Sequence, residues 1–528
     1  MSSQPLDFAC TGTVIDDYRV QVQVAATAER GDTADGIEGM PVVEDDYKDP
    51  TTARQKHAGS IRIDGHWDGT STMAPSPVTR RGGPMRLAVV GTGYVGLVSG
   101  ACLAEIGHDV VCVDVDAVKV ELLSQGTVSI FEPGLRGLVG RGLESGRLRF
   151  TTSLVEAVAD REVVFIAVGT PAGDDGAADL SQVFGVTEEM APALAEGVMV
   201  VVKSTVPVGT SAAVEARIRE ERTDLAFEIG SNPEFLRQGA AVADFMHPDR
   251  LVIGTRSYRG EQIMRHVYQP ILHEGAPVLF TAVETSELIK YAANSFLATK
   301  LAFINEMADL CERVGADVNE VAKGMSLDDR ISEKFLAAGP GFGGSCLPKD
   351  IQALVHTSSS YGVESRVVGA AIEANQQRRR NIASRLFDAL GGLEGRQVAV
   401  LGLTFKANTD DVRDSPALEI IEEILRLGAH VVAYDPEGMQ NAKGLLNSVD
   451  FANDAYGALQ GADAAIIATE WAEFGTLDLE RVRTALRGDV IVDLRNLYDP
   501  RDMADSRLNY YSVGRPPTLV TESVPSPG

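Results

Sequence analysis

One pattern occurs twice in this chain of 528 residues: an apolar strand, a glycine turn, a helical stretch and a second strand ending in aspartate. Leu87-Ala88-Val89-Val90-Gly91 is echoed by Val398-Ala399-Val400-Leu401-Gly402, and Val111-Cys112-Val113-Asp114 by Val432-Ala433-Tyr434-Asp435. Short, wholly apolar runs alternating with helical patterns need a sheet covered on both faces, so each copy predicts a parallel α/β domain. The first series continues through Val163–Val168, Met199–Val202 and Leu251–Gly254, the second through His430–Ala433, Ala464–Ala468 and Val490–Val492. From Glu284 to Gly391 the pattern reads as helical throughout, with Val367–Leu390 as one long connecting helix and Arg378-Arg379-Arg380 as a solvated face. The predicted fold is therefore α/β: two Rossmann-like parallel-sheet domains, 85–283 and 392–513, joined by a central helical domain, 284–391.

The flanks read differently. Residues 1–84 are rich in Asp, Gly, Thr, Ser and Pro without sustained periodicity, which predicts a disordered extension. Met85, directly before the first strand, offers an alternative start, and 514–528 read as a tail. A formal net charge of −27 argues against nucleic-acid or anionic-membrane partners but leaves room for a local basic pocket. No apolar run is long enough to span a bilayer, and no secretory signal opens the chain. Five scattered cysteines with neither zinc spacing nor a disulfide framework predict a reducing cytoplasm and no metal.

Two stretches carry chemistry. Gly91-Thr92-Gly93-Tyr94-Val95-Gly96 follows a strand and opens a helix, with Asp114 about 20 residues on, the dinucleotide fingerprint. Gly91, Gly93 and Gly96 would admit a pyrophosphate to the helix N-terminus. The Asp114 carboxylate would repel an extra ribose phosphate, which favours NAD. The second copy keeps Gly402 but continues Leu403-Thr404-Phe405-Lys406, so it lacks the fingerprint and suits a different phosphate-bearing ligand. The other stretch is Gly341-Phe342-Gly343-Gly344-Ser345-Cys346-Leu347-Pro348-Lys349-Asp350. Its proline suits a first helical turn, whose dipole would favour a thiolate at Cys346, with Asp350 on the same face. Lys290 and Asn294, four apart, could stabilise an oxyanion.

These motifs, with VGTP, STVPVGT, NPEFL, KYAANSFLATK, RISEKFLAAGPGFGGSCLPKD and FKANTDDVRDSP, resemble the UDP-glucose dehydrogenases of the UDP-glucose/GDP-mannose dehydrogenase family over Met85–Val513. The resemblance implies NAD-dependent, four-electron oxidation of UDP-glucose to UDP-glucuronate, a polysaccharide precursor, with two NADH released. The acid would form through a thiohemiacetal and a thioester on Cys346. It implies Cys346 as nucleophile, Lys290 and Asn294 on the substrate oxygen, Asp350 and Thr205 with a water in proton transfer, and Glu234 as the base for hydrolysis. Gly91, Gly93, Tyr94, Val95, Gly96, Asp114, Lys119, Thr170, Thr205, Gln238, Lys349 and Arg413 match cofactor positions. Glu234, Phe235, Leu236, Arg237, Lys290, Asn294, Phe335, Leu336, Ala337, Ala338, Gly339, Gly343 and Lys406 match substrate positions. Arg330 matches an arginine that reaches a neighbouring subunit's substrate, so a homodimer or larger homo-oligomer is implied. Gln238 stands where family members commonly carry Glu, from which altered cofactor affinity is expected. GDP-mannose or another nucleotide sugar, and a silent nucleotide-sugar binder, stay open as alternatives.

Overall fold

The computed structural model describes residues 83–520, so nearly all of the expected extension lies outside the described residues. The first sheet has eight strands: β1 (Arg86–Val90), β2 (Asp109–Val113), β3 (Leu148–Thr151), β4 (Val163–Ile166), β5 (Met199–Val202), β6 (Glu228–Ser231), β7 (Leu251–Thr255) and β8 (Val278–Thr281). Their order is β3-β2-β1-β4-β5-β6-β7-β8. The second sheet comprises β9 (Gln397–Leu401), β10 (His430–Tyr434), β11 (Val449–Phe451), β12 (Ala464–Ile467), β13 (Val490–Asp493) and β14 (Asn509–Ser512), in the order β11-β10-β9-β12-β13-β14. Renumbered from its own first strand, the second order repeats the first six of the other sheet, the doubly wound arrangement whose ligand crevice opens where strand order reverses. Central strands are buried on both faces, which explains their unbroken apolar runs.

The expected parallel pairing has one exception. β6 and β7 run antiparallel, with Ser231 opposite Gly254. The start of β7 therefore lies at the same edge as the end of β6.

Two long helices link the sheets: Val283–Val314, of 32 residues, and Arg366–Leu390, of 25. The second coincides with the expected connecting helix. The middle region is not helical throughout, because residues 327–346 form an irregular stretch. Proline and glycines cluster there, and Ser332 and Phe335 adopt positive φ, incompatible with a helix. Nor is the arginine run a solvated face. Arg378 and Arg379 are buried, Arg378 donating to Gly339 O at 3.0 Å and Arg379 pairing with Asp414 at 2.9 Å and Glu419 at 2.6 Å. Only Arg380 is exposed, because a packed helix turns adjacent residues to different sides. The expected tail also begins later than Gly514. Tyr510 and Thr518 exchange both backbone hydrogen bonds, and Arg515 is buried, while 521–528 lie outside the described residues.

Candidate active site

The cleft between the two sheets collects reactive side chains from three elements. β6 leads into Asn232-Pro233-Glu234, where proline cannot extend the ladder and the chain turns inward. Asn232 is pinned by the Lys203 ammonium at 3.1 Å and by the Tyr268 hydroxyl at 2.6 Å, so Glu234 leaves an anchored turn. The Val283–Val314 helix presents Lys290 and Asn294 on one buried face. Cys346 is the N-cap of helix Leu347–Ser360; Pro348 falls in its first turn, where no amide partner is needed. Asp350, one turn on, is 1% exposed, so its carboxylate must be satisfied by protein.

It is satisfied within a compact constellation. Asn294 donates to Asp350 Oδ2 at 2.6 Å, and Lys349 Nζ reaches Oδ1 at 2.5 Å. Lys290 Nζ lies 3.0 Å from Glu234 Oε1, while the other Glu234 oxygen accepts from the Leu236 amide at 2.5 Å. A cavity of about 620 Å³ opens onto Glu234, Lys290, Asn294 and Cys346. Phe235, Leu236, Arg237, Gln238, Phe335, Gly343 and Lys406 form other parts of its wall. That volume falls within the range of small-molecule sites.

Burial would raise Glu234, but the Lys290 charge, the Leu236 amide and Lys203 outweigh it and hold the carboxyl below its usual range. Burial would likewise lower Lys290; Glu234, Asp350 and Cys346 hold it above its ordinary value. Buried Lys203 is lowered to about 8, chiefly by desolvation. The expected thiolate at Cys346 is not favoured. Although its sulfur is reachable from the cavity, desolvation and then Glu234 push the thiol up, against the opposing pull of Lys290. Desolvation of the sulfur is the larger cause, and the Glu234 carboxylate adds to it.

In the turn after β1, Gly96 is required by contact: a Cβ there would lie 1.9 Å from Gly91 O. Nothing stands within 4 Å of a Cβ at Gly93, so the turn leaves a gap above the helix N-terminus. Asp114 accepts from Thr92 N at 3.0 Å and from Lys119 Nζ at 2.8 Å, and its pKa is lowered to about 2 by these donors against burial. A tight turn, a gap for a pyrophosphate and an ionised carboxylate fit a dinucleotide.

Residues 85–272 match the NAD binding domain of the UDP-glucose/GDP-mannose dehydrogenase family, 284–377 its central domain and 399–500 its UDP binding domain. UDP-glucose 6-dehydrogenase of Rhizobium meliloti (strain 1021) is 50% identical over 436 residues, 82% of this chain and 100% of the relative. The chain belongs to this dehydrogenase family. UDP-glucose 6-dehydrogenase TuaD of Bacillus subtilis (strain 168) is 45% identical, covering 83% of this chain and 95% of its own. The solved UDP-glucose dehydrogenase from the hyperthermophilic archaeon Pyrobaculum islandicum superposes with a TM-score of 0.78 at 40% identity, over 84% of this chain and 100% of that one.

Some expected site residues of the dehydrogenase stand elsewhere. Arg330 is not in the cavity wall; it is exposed and pairs with Asp328 at 2.6 Å. Leu336 and Ala338 turn into the core beneath the second sheet, so only their backbone remains for a ligand, and Ala337 is exposed. Gly339 lies against Leu494 and Arg495. Among the described residues no hydrogen bond joins the Thr205 hydroxyl to Asp350; the Thr205 carbonyl accepts from Thr170 at 2.8 Å. Val95, beside Gly96, is half-buried in the same turn. Gly343 and Gly344 line the cavity and are also required by packing, since a Cβ at the first would strike Asp414 O at 2.1 Å and one at the second the Phe405 ring at 2.8 Å. These glycines admit the second sheet's loop to the cysteine.

Three cavity cations, Arg250, Lys300 and Lys334, are not among the residues singled out from sequence. Arg250 stacks 3.8 Å over Phe235, and it precedes β7, the antiparallel strand whose beginning shares the site's edge. Reading only the ends of strands overlooks it. Lys300, on the long helix, clamps Ile331 O at 3.0 Å and Lys334 O at 2.5 Å. The spacing from Lys290 to Lys300 alone gives no such cue.

Proposed function

We propose that this dehydrogenase oxidises UDP-glucose to UDP-glucuronate with NAD, by way of a covalent intermediate on Cys346. The observation that carries the reading is the cavity shared by Cys346, Lys290, Asn294 and Glu234, with Asp350 hydrogen-bonded behind Asn294. NAD supplies the hydride acceptor for both oxidations. Gly91, Gly93, Tyr94, Val95, Gly96, Asp114, Lys119, Thr170, Lys349 and Arg413 are its proposed contacts, with Gln238 beside them, and Phe335–Gly339, Gly343 and Lys406 those of the sugar nucleotide.

The residues divide the work. Lys290 and Asn294 hold the sugar's oxygen and stabilise negative charge on it as its proton leaves toward Asp350, with Thr205 and an ordered water. Cys346 adds to the resulting aldehyde, and capture keeps the intermediate in place for the second oxidation. Glu234, ionised and held by Lys290, directs water onto the thioester, restoring the thiol and releasing the acid. The raised Cys346 thiol supports a nucleophile that loses its proton only as it attacks.

A homodimer is part of the proposal. Leu288, Phe296, Phe303 and Leu310 form an exposed apolar stripe along the long helix, and Phe296 also lines the cavity. Such a stripe suits a second copy, which would bring Arg330 to the neighbouring site. The four described cysteines are unpaired, consistent with a reducing cytoplasm, and no described helix is long and apolar enough to cross a membrane.

The test is stoichiometry with competing substrates. UDP-glucose should give about two NADH per acid, as two successive hydride transfers require. Faster turnover of GDP-mannose would overturn the substrate, and one NADH with free aldehyde would overturn the covalent route. Cys346→Ser should reduce turnover at least about a thousandfold while NAD binding, read by calorimetry, is retained.

A further inference from the structure

Gln238 crosses the cleft. Its Nε2 donates to Asp411 Oδ2 at 2.9 Å, and its Oε1 accepts from the Thr409 hydroxyl at 3.2 Å. Thr409 in turn accepts from the Asp411 amide at 3.2 Å, so the direction of every hydrogen bond in the circuit is set. The orientation of the Gln238 amide is thereby fixed, since an ionised Asp411 can only accept. Asp411 also receives Arg413, at 2.8 Å to Oδ1 and 2.6 Å to Oδ2. One carboxylate thus joins a side chain of the first sheet's domain to an arginine of the second's.

The backbone next to Gln238 is held as firmly. The Gly239 amide donates to Glu132 Oε2 at 2.7 Å and lies 3.0 Å from the hydroxyl of Tyr94, the residue in the dinucleotide turn. On its other side a Cβ at Gly239 would meet Asn408 O at 2.3 Å, where the two domains touch backbone to backbone. A continuous path runs from the Gly91–Gly96 turn through Tyr94, Gly239 and Gln238 to Asp411 and Arg413.

We propose that Gln238 is a positioning residue, a charge-neutral latch that closes the two domains over the cofactor and sets Arg413 against it. It deepens the NAD reading of the cleft and rests on that reading. In this chain the amide both donates to Asp411 and accepts from Thr409 with no added proton, whereas the Glu common at this position in the family would have to share a proton with a carboxylate so placed or stand apart from it. A carboxylate here would face Asp411 across a hydrogen-bond distance, and the pair could close only by sharing a proton.

The carboxyl introduced by Gln238→Glu would therefore titrate above its ordinary range, and the variant's latch would hold below that value and open above it. Asp410, Asp411 and Arg413 from the second domain, with Glu132, Tyr94, Arg237, Asp244 and Lys406 around the same turn, also carry or exchange charge. They are common to wild type and variant, so the informative quantity is the difference between the two.

The experiment is calorimetric NAD binding at about pH 6 and pH 8.5 for wild type, Gln238→Glu and Gln238→Met, with hydrogen exchange of residues 408–413 in the free proteins. Gln238→Glu should bind nearly as wild type at the lower pH and about tenfold more weakly at the higher, with faster exchange only there. Gln238→Met should be weaker at both. Parallel pH dependence of wild type and Gln238→Glu, or unchanged binding and exchange in Gln238→Met, would overturn the latch while the cofactor reading stands. Absence of NAD binding by the wild type would overturn both.

Discussion

The two doubly wound sheets start from the same frame and use it differently. Gly91 and Gly402 take φ of 97° and 99°, and each donates its amide to a carbonyl of the neighbouring strand at 2.8 Å. After Gly91 a helix starts at Tyr94; after Gly402 the next helix waits until Pro416, and the intervening loop reaches the cysteine and Gln238. The acidic residues differ as much. Asp114 has a side chain 14% exposed, and Lys119 is its charged partner. Asp435 is 1% exposed, and its Oδ2 takes Leu403 N, Thr404 N, the Thr404 hydroxyl and the Trp471 indole at 3.1 Å. One carboxylate, held by Thr92 and Lys119, keeps part of its surface exposed. The other has been absorbed into the fold. A repeated strand frame thus carries no function by itself; the loop after its first strand decides what it holds.

The strongest way to break this contrast is to fill the first turn. Gly96→Val should abolish measurable NAD binding, at least about a hundredfold, because its side chain would collide with Gly91 O. UDP binding at the other sheet should persist, and joint loss of both would show that the halves are not separable in this way. A milder comparison substitutes the matched aspartates. Asp435→Asn should lower stability by about 2–3 kcal/mol in urea unfolding and leave NAD affinity unchanged, since charge-assisted buried hydrogen bonds are lost. Asp114→Asn should weaken NAD about tenfold and narrow its preference over NADP, with a smaller loss of stability than Asp435→Asn because its side chain is partly exposed. If both variants lose stability alike, Asp114 is structural too.

The smallest effect tests the cleft between the halves. Alkylation of Cys346, followed by mass spectrometry, should rise with pH with a midpoint above that of an ordinary thiol, because the partly desolvated cavity and Glu234 disfavour the thiolate. Glu234→Gln removes a negative neighbour, so at pH 8 modification should become severalfold faster. Lys290→Met removes the cation that favours the thiolate, so modification should slow by a similar factor. The opposite order would mean that the sulfur does not sense these charges.

How far the sequence could be read depends on the range of the forces involved. Most central strands were legible, because burial on both faces leaves a short apolar run, set apart from a buried helix by its length and flanking turns. Edge strands such as Leu148–Thr151 and Val278–Thr281 went unseen, since partial exposure dilutes that run. The Gly91–Gly96 turn, Asp114 and the Cys346–Asp350 helix start were legible because each is a local spacing. Arg250 and Lys300 were not, because one depends on an antiparallel strand and the other on a distant loop. The arginine run was misread for the same reason: neighbours in sequence say nothing about Asp309, Asp414 and Glu419 arriving from elsewhere.

The sequence by itself determined the twofold α/β frame, the dinucleotide turn and the residue types of the reacting group, all set by local periodicity and spacing. Only the tertiary structure decided that Glu234 is paired with Lys290, that Asp350 is buried behind Asn294, and that the Cys346 thiol is raised rather than lowered. It also closed Asp435 with Trp471 and joined Gln238 to Asp411, 173 residues away. Charge and desolvation act through space, and the groups that set them come from separate elements whose meeting no local pattern encodes.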